Sequence, residues 1–161
     1  MIDIINFTGE KFDLGFSKVY HLSEFNIKSG DVRKLVNNKN LDIIVSSEKL
    51  AEKDSLHYRN SGLNQVTCKL AKQNKIAVAF SFNDILKSND KAKLLGRMML
   101  NVKLCRKYKV KTVVASFATN KYEMRSSHDL LSFAEIIGMT PKEAKEALNF
   151  KKKEDDIKLI K

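Results

Sequence analysis

Residues 111–139, KTVVASFATNKYEMRSSHDLLSFAEIIGM, carry the pattern that decides the fold, because they predict a strand, a loop and a helix in succession. Residues 112–115 are a short, mostly β-branched run of the length that a buried strand takes. Residues 127–137 are apolar on most sides, which is typical of a well-buried helix, and Gly138 suits the left-handed residue that ends one. The stretch therefore predicts one strand–helix unit of an α/β fold.

The connection inside this unit, residues 116–126, is polar and carries the cations Lys121 and Arg125. A polar loop that leaves a core strand and enters a core helix is where α/β proteins usually place functional residues. We therefore expect this loop to take part in function.

The rest of the chain repeats the alternation of strand and helix. Strands are predicted at residues 2–7, 18–22, 41–45, 75–80 and 112–115. Helices are predicted at 63–73, 91–108, 127–137 and 142–149, with shorter helical turns at 32–36 and 85–86. Short connections of this kind make right-handed βαβ units, so all strands run parallel and their C-terminal ends share one face.

A complete eightfold barrel takes about 250 residues, whereas this chain has 161 residues and five predicted strands. The sequence therefore predicts an α/β protein with a TIM-barrel-like (β/α) fold in which the barrel is shortened or incomplete; a doubly wound open sheet is the alternative. We expect residues 1–150 to form one domain and residues 151–161 a flexible basic tail. Loops at 59–62, 81–84 and 121–127 should meet at the C-terminal face.

The longest irregular stretch, residues 46–62, leads into the helix predicted at 63–73, although it has room for one helical turn around Leu50 and Ala51. Asn60 or Ser61 is the predicted N-cap of that helix. Free N–H groups at a helix start, beside Arg59, suit a phosphate.

Charge gives the first indication of a partner. Thirty Lys and Arg residues against nineteen Asp and Glu residues leave a net charge of +11, and the isoelectric point is near 9.6. Such an excess favours a polyanion such as nucleic acid, while a cationic surface kept for solubility is the alternative.

Two further groups of cations have both a structural and a functional interpretation. Arg97 falls at the edge of an apolar helix face, where a charge needs a partner, and Asp84 and Asp129 are the predicted partners of a structural ion pair. A contact with RNA is the alternative for Arg97. A second basic patch lies at the opposite, N-terminal end of the strands. Its cations either complement a helix C-terminus or bind a nucleic-acid backbone, and they are Arg106, Lys107, Lys109 and Lys111.

Enzyme signatures are missing from the sequence. There is no phosphate-binding glycine loop, and the histidines are isolated rather than spaced as metal ligands. Cys68 and Cys105 lie within helical patterns and read as buried apolar residues of a reducing compartment. No apolar run is long enough to span a membrane and the N-terminus lacks the features of a signal peptide. We therefore expect no catalytic residue, metal or cofactor in a cytoplasmic protein that does not contact a membrane.

The chain resembles the thirty-kilodalton protein family of ribonuclease P found in archaea and eukaryotes. The resemblance is nearly continuous from residue 59 onward and vague before residue 41. It rests on RNSGLNQVTCKLAKQNKIAVAFSFNDIL (59–86), RMMLNVKLCRKYKVKTVVASFA (97–118), YEMRSSHDLLSFAEIIGM (122–139) and AKEAL (144–148). The chain looks shorter than typical members, and a missing β–α unit would explain this.

The resemblance implies a non-catalytic subunit of ribonuclease P, a ribonucleoprotein whose RNA removes the 5′ leader from precursor tRNA during tRNA processing. It also implies a TIM-barrel-like fold and, as partners, the ribonuclease P RNA, protein component 2, the other proteins of the holoenzyme and, indirectly, precursor tRNA. The alternative is a free-standing, metal-dependent phosphoesterase-like barrel enzyme, which needs at least three converging ligands.

On this interpretation, one set of residues contacts RNA phosphates or acidic groups of the partner protein: Arg59, Asn60, Ser61, Lys121, Arg125 and Ser126. For Arg125 a salt bridge with Asp129, four residues on, is the alternative.

Overall fold

The structure, a computed structural model, describes residues 1–49, 54, 56–57 and 59–151. The helical turn considered around Leu50 and Ala51, and the predicted flexible tail beyond residue 151, lie outside these residues.

Within the described part of the chain there are six strands. They are β1 (Ile2–Ile5), β2 (Lys18–His21), β3 (Ile27–Lys28), β4 (Ile43–Val45), β5 (Ala77–Ser81) and β6 (Thr112–Ala115). Five of them stand where the sequence predicts a strand, with ends that differ by at most two residues. The sixth, β3, was not predicted, because two residues are too few for a periodic pattern.

The helices lie between and after the strands. They are α1 (Val32–Leu35), α2 (Gln65–Gln73), α3 (Phe82–Lys87), α4 (Lys91–Tyr108), α5 (Ser127–Ile136) and α6 (Pro141–Ala147). Capping explains several starts: Thr140 and Glu143 form a capping box with Pro141 in the first turn of α6, and Ser126 and Asp129 form one at α5.

The start of α2 differs from the prediction. Asn64 is its N-cap, with its side chain accepting from the backbone N–H of Thr67, and the helix begins at Gln65. The predicted caps, Asn60 and Ser61, lie upstream in irregular structure. The reason is the reciprocal bond from the Asn64 N–H to the Thr67 hydroxyl, which completes a capping box that neither Asn60 nor Ser61 makes.

All strand pairs are parallel, as predicted. β1 pairs with β2, and β3, β4, β5 and β6 form a second sheet in that order. The two sheets meet where the Phe117 N–H donates to the Ile4 carbonyl at 2.9 Å and the Asn6 N–H donates to the Ala118 carbonyl at 2.8 Å. The strands thus follow the order of a (β/α) ring. Of the strands within the described ranges, β2 and β3 share no ladder, so the ring is open there.

The strands separate two apolar layers. Alternate residues of β5 and β6, namely Ala77, Ala79, Val113 and Ala115, face the inside of the ring, where Ile4, Ile43, Phe25 and Phe117 complete a compact cluster. Small side chains at inner positions suit a ring with few strands. The intervening residues, among them Val78, Phe80 and Val114, pack against the helices in the larger outer core. This is a TIM-barrel-like α/β fold with an incomplete barrel.

Candidate nucleic-acid interface

Loops that follow β4, β5 and β6 meet at one face, which we call the mouth and define as the C-terminal ends of the parallel strands with the loops that follow them. Asp84, in the first turn of α3, accepts hydrogen bonds from the Ser46 hydroxyl and, at 3.4 Å, from the Lys49 ammonium. Asn83 donates from its backbone N–H to the Ser116 carbonyl at 3.0 Å. The three loops that the sequence placed on a common face are therefore brought together.

The loop after β6 is held from within by Glu123. Its carboxylate accepts from the Thr119 N–H at 2.8 Å and the Thr119 hydroxyl at 2.7 Å, and it lies 3.2 Å from the Lys87 ammonium. Burial alone raises the pKa of Glu123, but these hydrogen bonds and the lysine outweigh it and lower the pKa to about 2. Glu123 is thus ionised at neutral pH and turned inward.

Lys121 and Arg125 lie at the outer side of the same loop. The Lys121 ammonium is 3.8 Å from Glu10, whose side chain is 92% exposed, so this pair is weak and easily screened. The Arg125 guanidinium donates to the Met124 carbonyl at 2.7 Å and the Tyr122 carbonyl at 3.2 Å, and it lies 5.3 Å from the centre of the Phe82 ring. Arg125 is therefore oriented by neutral groups, which leave its charge available to an anion.

The alternative salt bridge between Arg125 and Asp129 is wrong. Asp129 accepts from the Ser126 N–H at 3.2 Å and its own N–H donates to the Ser126 hydroxyl at 3.1 Å. This capping box turns the Asp129 carboxylate toward the helix start. It also places an acidic group at the exposed N-terminus of α5. A phosphate at Ser126 would be repelled by this carboxylate, which already complements the helix dipole.

Residues 59–61 divide between the surface and the interior. Arg59 is exposed, and its guanidinium lies against Gly96 of α4, where a side-chain carbon would collide with it. Asn60 donates its N–H to Asp54 at 2.9 Å and accepts from the Gly62 N–H at 3.1 Å. Ser61 is buried. Because α2 starts at Gln65, the predicted phosphate site on a helix start at Ser61 is wrong.

Arg97 is buried and paired, as its position in the apolar arc predicts, but its partner is Asp54. Its guanidinium lies 2.8 Å from the Asp54 carboxylate and donates to the Glu48 carbonyl at 2.9 Å. Asp84 instead takes Ser46 and Lys49, and Asp129 caps α5. The predicted structural ion pair of Arg97 with Asp84 or Asp129 is therefore wrong in its acidic partner, because Asp54 and the Glu48 carbonyl lie against the Arg97 guanidinium.

Glu48 is a buried charged residue of the mouth that the sequence did not single out. Its side chain is fully buried, and burial raises its pKa to about 7. The Ser47 hydroxyl donates to one carboxyl oxygen at 3.3 Å, whereas the other has no hydrogen-bond partner among the described residues. Glu48 follows the apolar strand β4 by only three residues, and that proximity is the sequence signal for a buried acid.

At the opposite end of the strands, Arg106 is committed to a structural contact. It makes two hydrogen bonds of 2.7 Å to the Glu143 carboxylate and a third of 2.7 Å to the Gly138 carbonyl. The hydrogen bonds from Arg106 are the main reason that the pKa of Glu143 falls to about 2. The neighbouring cations are exposed: Lys107, Lys109 and Lys111. The second predicted patch therefore lies on the surface of the structure, but the charge of its arginine is already neutralised by Glu143.

A cleft of about 490 Å³ lies at this opposite end between α4 and α6. A smaller one of about 320 Å³ lies at the mouth, beside Glu48, Lys87 and Lys93. In the described part of the chain, no three His, Cys, Asp or Glu side chains converge as a metal-binding group. None of the helices in the described ranges has the length and apolar character that a membrane span requires.

A ring of parallel strands inside a helical layer, with cations gathered at the strand ends, defines the chain as a TIM-barrel-like (β/α) protein with a basic surface. The sequence profile of the family described as RNase P subunit p30 matches residues 30–153, and the chain belongs to this family.

Several named relatives are similar over shorter stretches. Ribonuclease P protein component 3 of Methanosarcina mazei is 37% identical over 93 residues, which are 56% of this chain and 39% of the relative. The protein of the same name from Methanococcus maripaludis is 28% identical over 116 residues, 69% of this chain and 47% of the relative. The Thermococcus kodakarensis protein is 32% identical over 94 residues, 57% of this chain and 43% of the relative. These matches span less than half of each relative.

A solved structure shares the fold. A chain in the cryo-EM structure of archaeal ribonuclease P with mature tRNA superimposes with a TM-score of 0.72 at 21% identity, over 92% of this chain and 87% of that chain. The fold class predicted from the sequence is confirmed.

Proposed function

We propose that this chain is a non-catalytic protein subunit of ribonuclease P that supports the catalytic RNA in removing the 5′ leader from precursor tRNA. The observation that carries the proposal is membership of the RNase P subunit p30 family across residues 30–153. The net charge of +11 supports it, because a protein that works on RNA must neutralise phosphates.

The mouth is the surface that we assign to RNA. Lys121 and Arg125 present charge on a loop whose own carboxylate, Glu123, is turned inward toward Thr119 and Lys87. Arg59, exposed on the flank of α4, extends this surface. Asn60 and Ser61 act beneath it by holding the loop after β4, since Asn60 binds Asp54 and the Ser61 carbonyl accepts from Asn101 at 2.8 Å.

The opposite end supplies a weaker, second contact. Lys107 and Lys109 are exposed there, whereas the Arg106 guanidinium is bound to Glu143. Two basic surfaces at opposite ends of one barrel suit a subunit placed between RNA and protein, and we assign protein component 2 and the other holoenzyme proteins as its protein partners. The cysteines Cys68 and Cys105, free and buried in helices, fit a reducing compartment, which supports a cytoplasmic location.

The test is reconstitution. The cognate ribonuclease P RNA is assembled with component 2, with and without this chain, and cleavage of precursor tRNA is measured. We expect the chain to increase cleavage at low magnesium concentration and to have no activity without the RNA. No stimulation would contradict the proposal. Cleavage by the chain alone, together with a divalent metal held by three protein ligands, would favour the phosphoesterase alternative.

A further inference from the structure

Two aromatic side chains at the mouth are exposed and lie side by side. Tyr122 is 75% exposed and Phe12 is 45% exposed. Their ring centres are 6.3 Å apart, with 61° between the ring planes. An aromatic ring that is three-quarters exposed has at least one open face, and such a face attracts other flat apolar groups.

Cations border this pair. The Lys121 ammonium lies 5.7 Å from the centre of the Phe12 ring and 5.4 Å from that of Tyr122. Arg125 donates to the Tyr122 carbonyl. The neighbouring acids compete little, since Glu123 is bound by Thr119 and Lys87 and Glu10 is almost fully exposed. The patch therefore combines ring faces with positive charge.

The two loops that carry the rings are fixed from below. The loop after β1 and the loop after β6 are joined by the Ser127 N–H, which donates to the Leu14 carbonyl at 2.9 Å. Ile5, Ala118 and Met124 form a small buried cluster beneath them. Asn120 accepts from the N–H groups of Tyr122 and Glu123 and so sets the turn that points Tyr122 outward. The turn that carries Tyr122 is therefore already formed before a ligand binds, which lowers the entropy cost of binding there.

We propose that Phe12 and Tyr122 form a stacking platform for an unpaired nucleotide of RNA, with Lys121 and Arg125 binding the adjoining phosphates. Recognition of single-stranded RNA depends on this combination of aromatic faces and a cationic backbone contact. RNA is favoured over a protein segment because Lys121 lies close to both rings and Arg125 is bound to the Tyr122 carbonyl, so two cations are available for phosphates. The proposal rests on the proposed function and names the part of the RNA that this surface takes.

A tryptophan at position 122 reports on stacking directly, because the chain contains no natural tryptophan. Tyr122→Trp keeps a stacking ring, and Ile136→Trp is the matched control. Ile136 is also exposed, at 62%, but it ends α5, whose first residue is at the mouth. Each variant of the whole 161-residue chain is assembled with component 2 and the cognate ribonuclease P RNA. Its tryptophan emission is compared with that of the same complex containing the wild-type chain.

We expect the emission of the Tyr122→Trp complex to fall by about half when RNA is added, and that of the Ile136→Trp complex to stay constant. Tyr122→Ala should weaken RNA binding about tenfold while Tyr122→Phe binds like the wild type, because one stacked base is lost only in the first. We expect double-stranded RNA to change the emission of Tyr122→Trp about one-tenth as much as single-stranded oligouridylate does. Such a difference would agree with stacking of an unpaired base.

The outcomes separate the platform from the proposed function. If the wild-type chain stimulates the RNA but the position-122 emission is unchanged at saturating RNA, the platform is wrong and the subunit role stands. If component 2 alone changes that emission and RNA adds nothing, the rings form a protein interface and the platform is again wrong. If the wild-type chain neither binds nor stimulates the RNA, both proposals fail.

Discussion

Two sides of the barrel mouth use charge in opposite ways. On the β4–β5 side, Arg97 is 6% exposed and is bound to Asp54 and to the Glu48 carbonyl. On the β6–β1 side, Arg125 is bound to two backbone carbonyls and an aromatic face. The first arginine is neutralised inside the protein, whereas the second keeps its charge for an external anion. Burial and the choice of partner therefore decide the role of each arginine.

The largest effect that we expect comes from Glu48 on the inward-facing side. Its pKa in the folded protein is about 7, above the ordinary value of 4.5. Between these values the folded chain keeps a proton that the unfolded chain has lost, so the free energy of unfolding falls as pH rises from 4.5 to 7. The fall attributable to Glu48 is on the order of 3 kcal/mol.

Glu48→Gln tests this prediction, because the amide is neutral at every pH. Urea unfolding of both proteins at pH 5, 6, 7 and 8 should show the variant gaining stability relative to the wild type as pH rises. Two curves that stay parallel over this range would show that Glu48 does not titrate as expected.

Arg97→Ala should give the next largest loss. Removing the guanidinium leaves the buried Glu48 carbonyl without its 2.9 Å donor and the Asp54 carboxylate without its 2.8 Å partner. We expect the free energy of unfolding to fall by about 2 kcal/mol. Arg125→Ala is the matched control and should change it by less than about 1 kcal/mol, since its bonds lie at the surface. Equal losses in the two variants would remove the distinction between the two sides.

For RNA binding, unlike stability, we expect the larger effect at Arg125 rather than at Arg97. Arg125→Ala should weaken assembly with the ribonuclease P RNA about tenfold and reduce the slope of log K against log salt by about 1. Arg125→Lys keeps the charge and should preserve the slope while losing part of the affinity, because the planar guanidinium is replaced. Binding measured at several salt concentrations decides this, and an unchanged slope in Arg125→Ala would exclude a phosphate contact.

The smallest effects are expected at the far end of the barrel. Arg106→Ala breaks an exposed ion pair with Glu143 and should lower the free energy of unfolding by less than about 1 kcal/mol, with RNA affinity nearly unchanged. Lys107→Ala should weaken RNA binding about twofold without altering stability, because its charge is exposed. Denaturant unfolding and RNA-binding measurements on both variants test these two predictions. A larger loss of RNA affinity in Arg106→Ala than in Arg125→Ala would reverse the assignment of the two ends.

Much of the framework follows from local sequence. The apolar runs of β4, β5 and β6 mark buried parallel strands, and Ser126, Thr140 and Gly138 mark helix ends, because capping depends on residues close in sequence. The start of α2 is also decided by local contacts, although the prediction places it at the wrong residue. Asn64 and Thr67 form reciprocal hydrogen bonds, and this capping box fixes the helix start downstream of the predicted caps.

The candidate site is predicted less completely. The sequence singles out Lys121 and Arg125 by their place in the decisive loop, but it gives no reason to join them to Phe12, more than a hundred residues earlier. That meeting depends on β1 lying beside β6, which is a property of the ring rather than of either segment.

The sequence by itself determines the parallel α/β alternation, the basic character and the family, because apolar periodicity, charge and motif order are properties of the chain taken in order. Only the tertiary structure decides that Arg97 pairs with Asp54, that the Ser116 hydroxyl donates to the Asp3 carboxylate at 2.6 Å across the β1–β6 junction, and that Glu48 is buried. The physical reason is that the electrostatic energy of a side chain depends on its desolvation and on its nearest partner in space. Both are set when distant segments pack together.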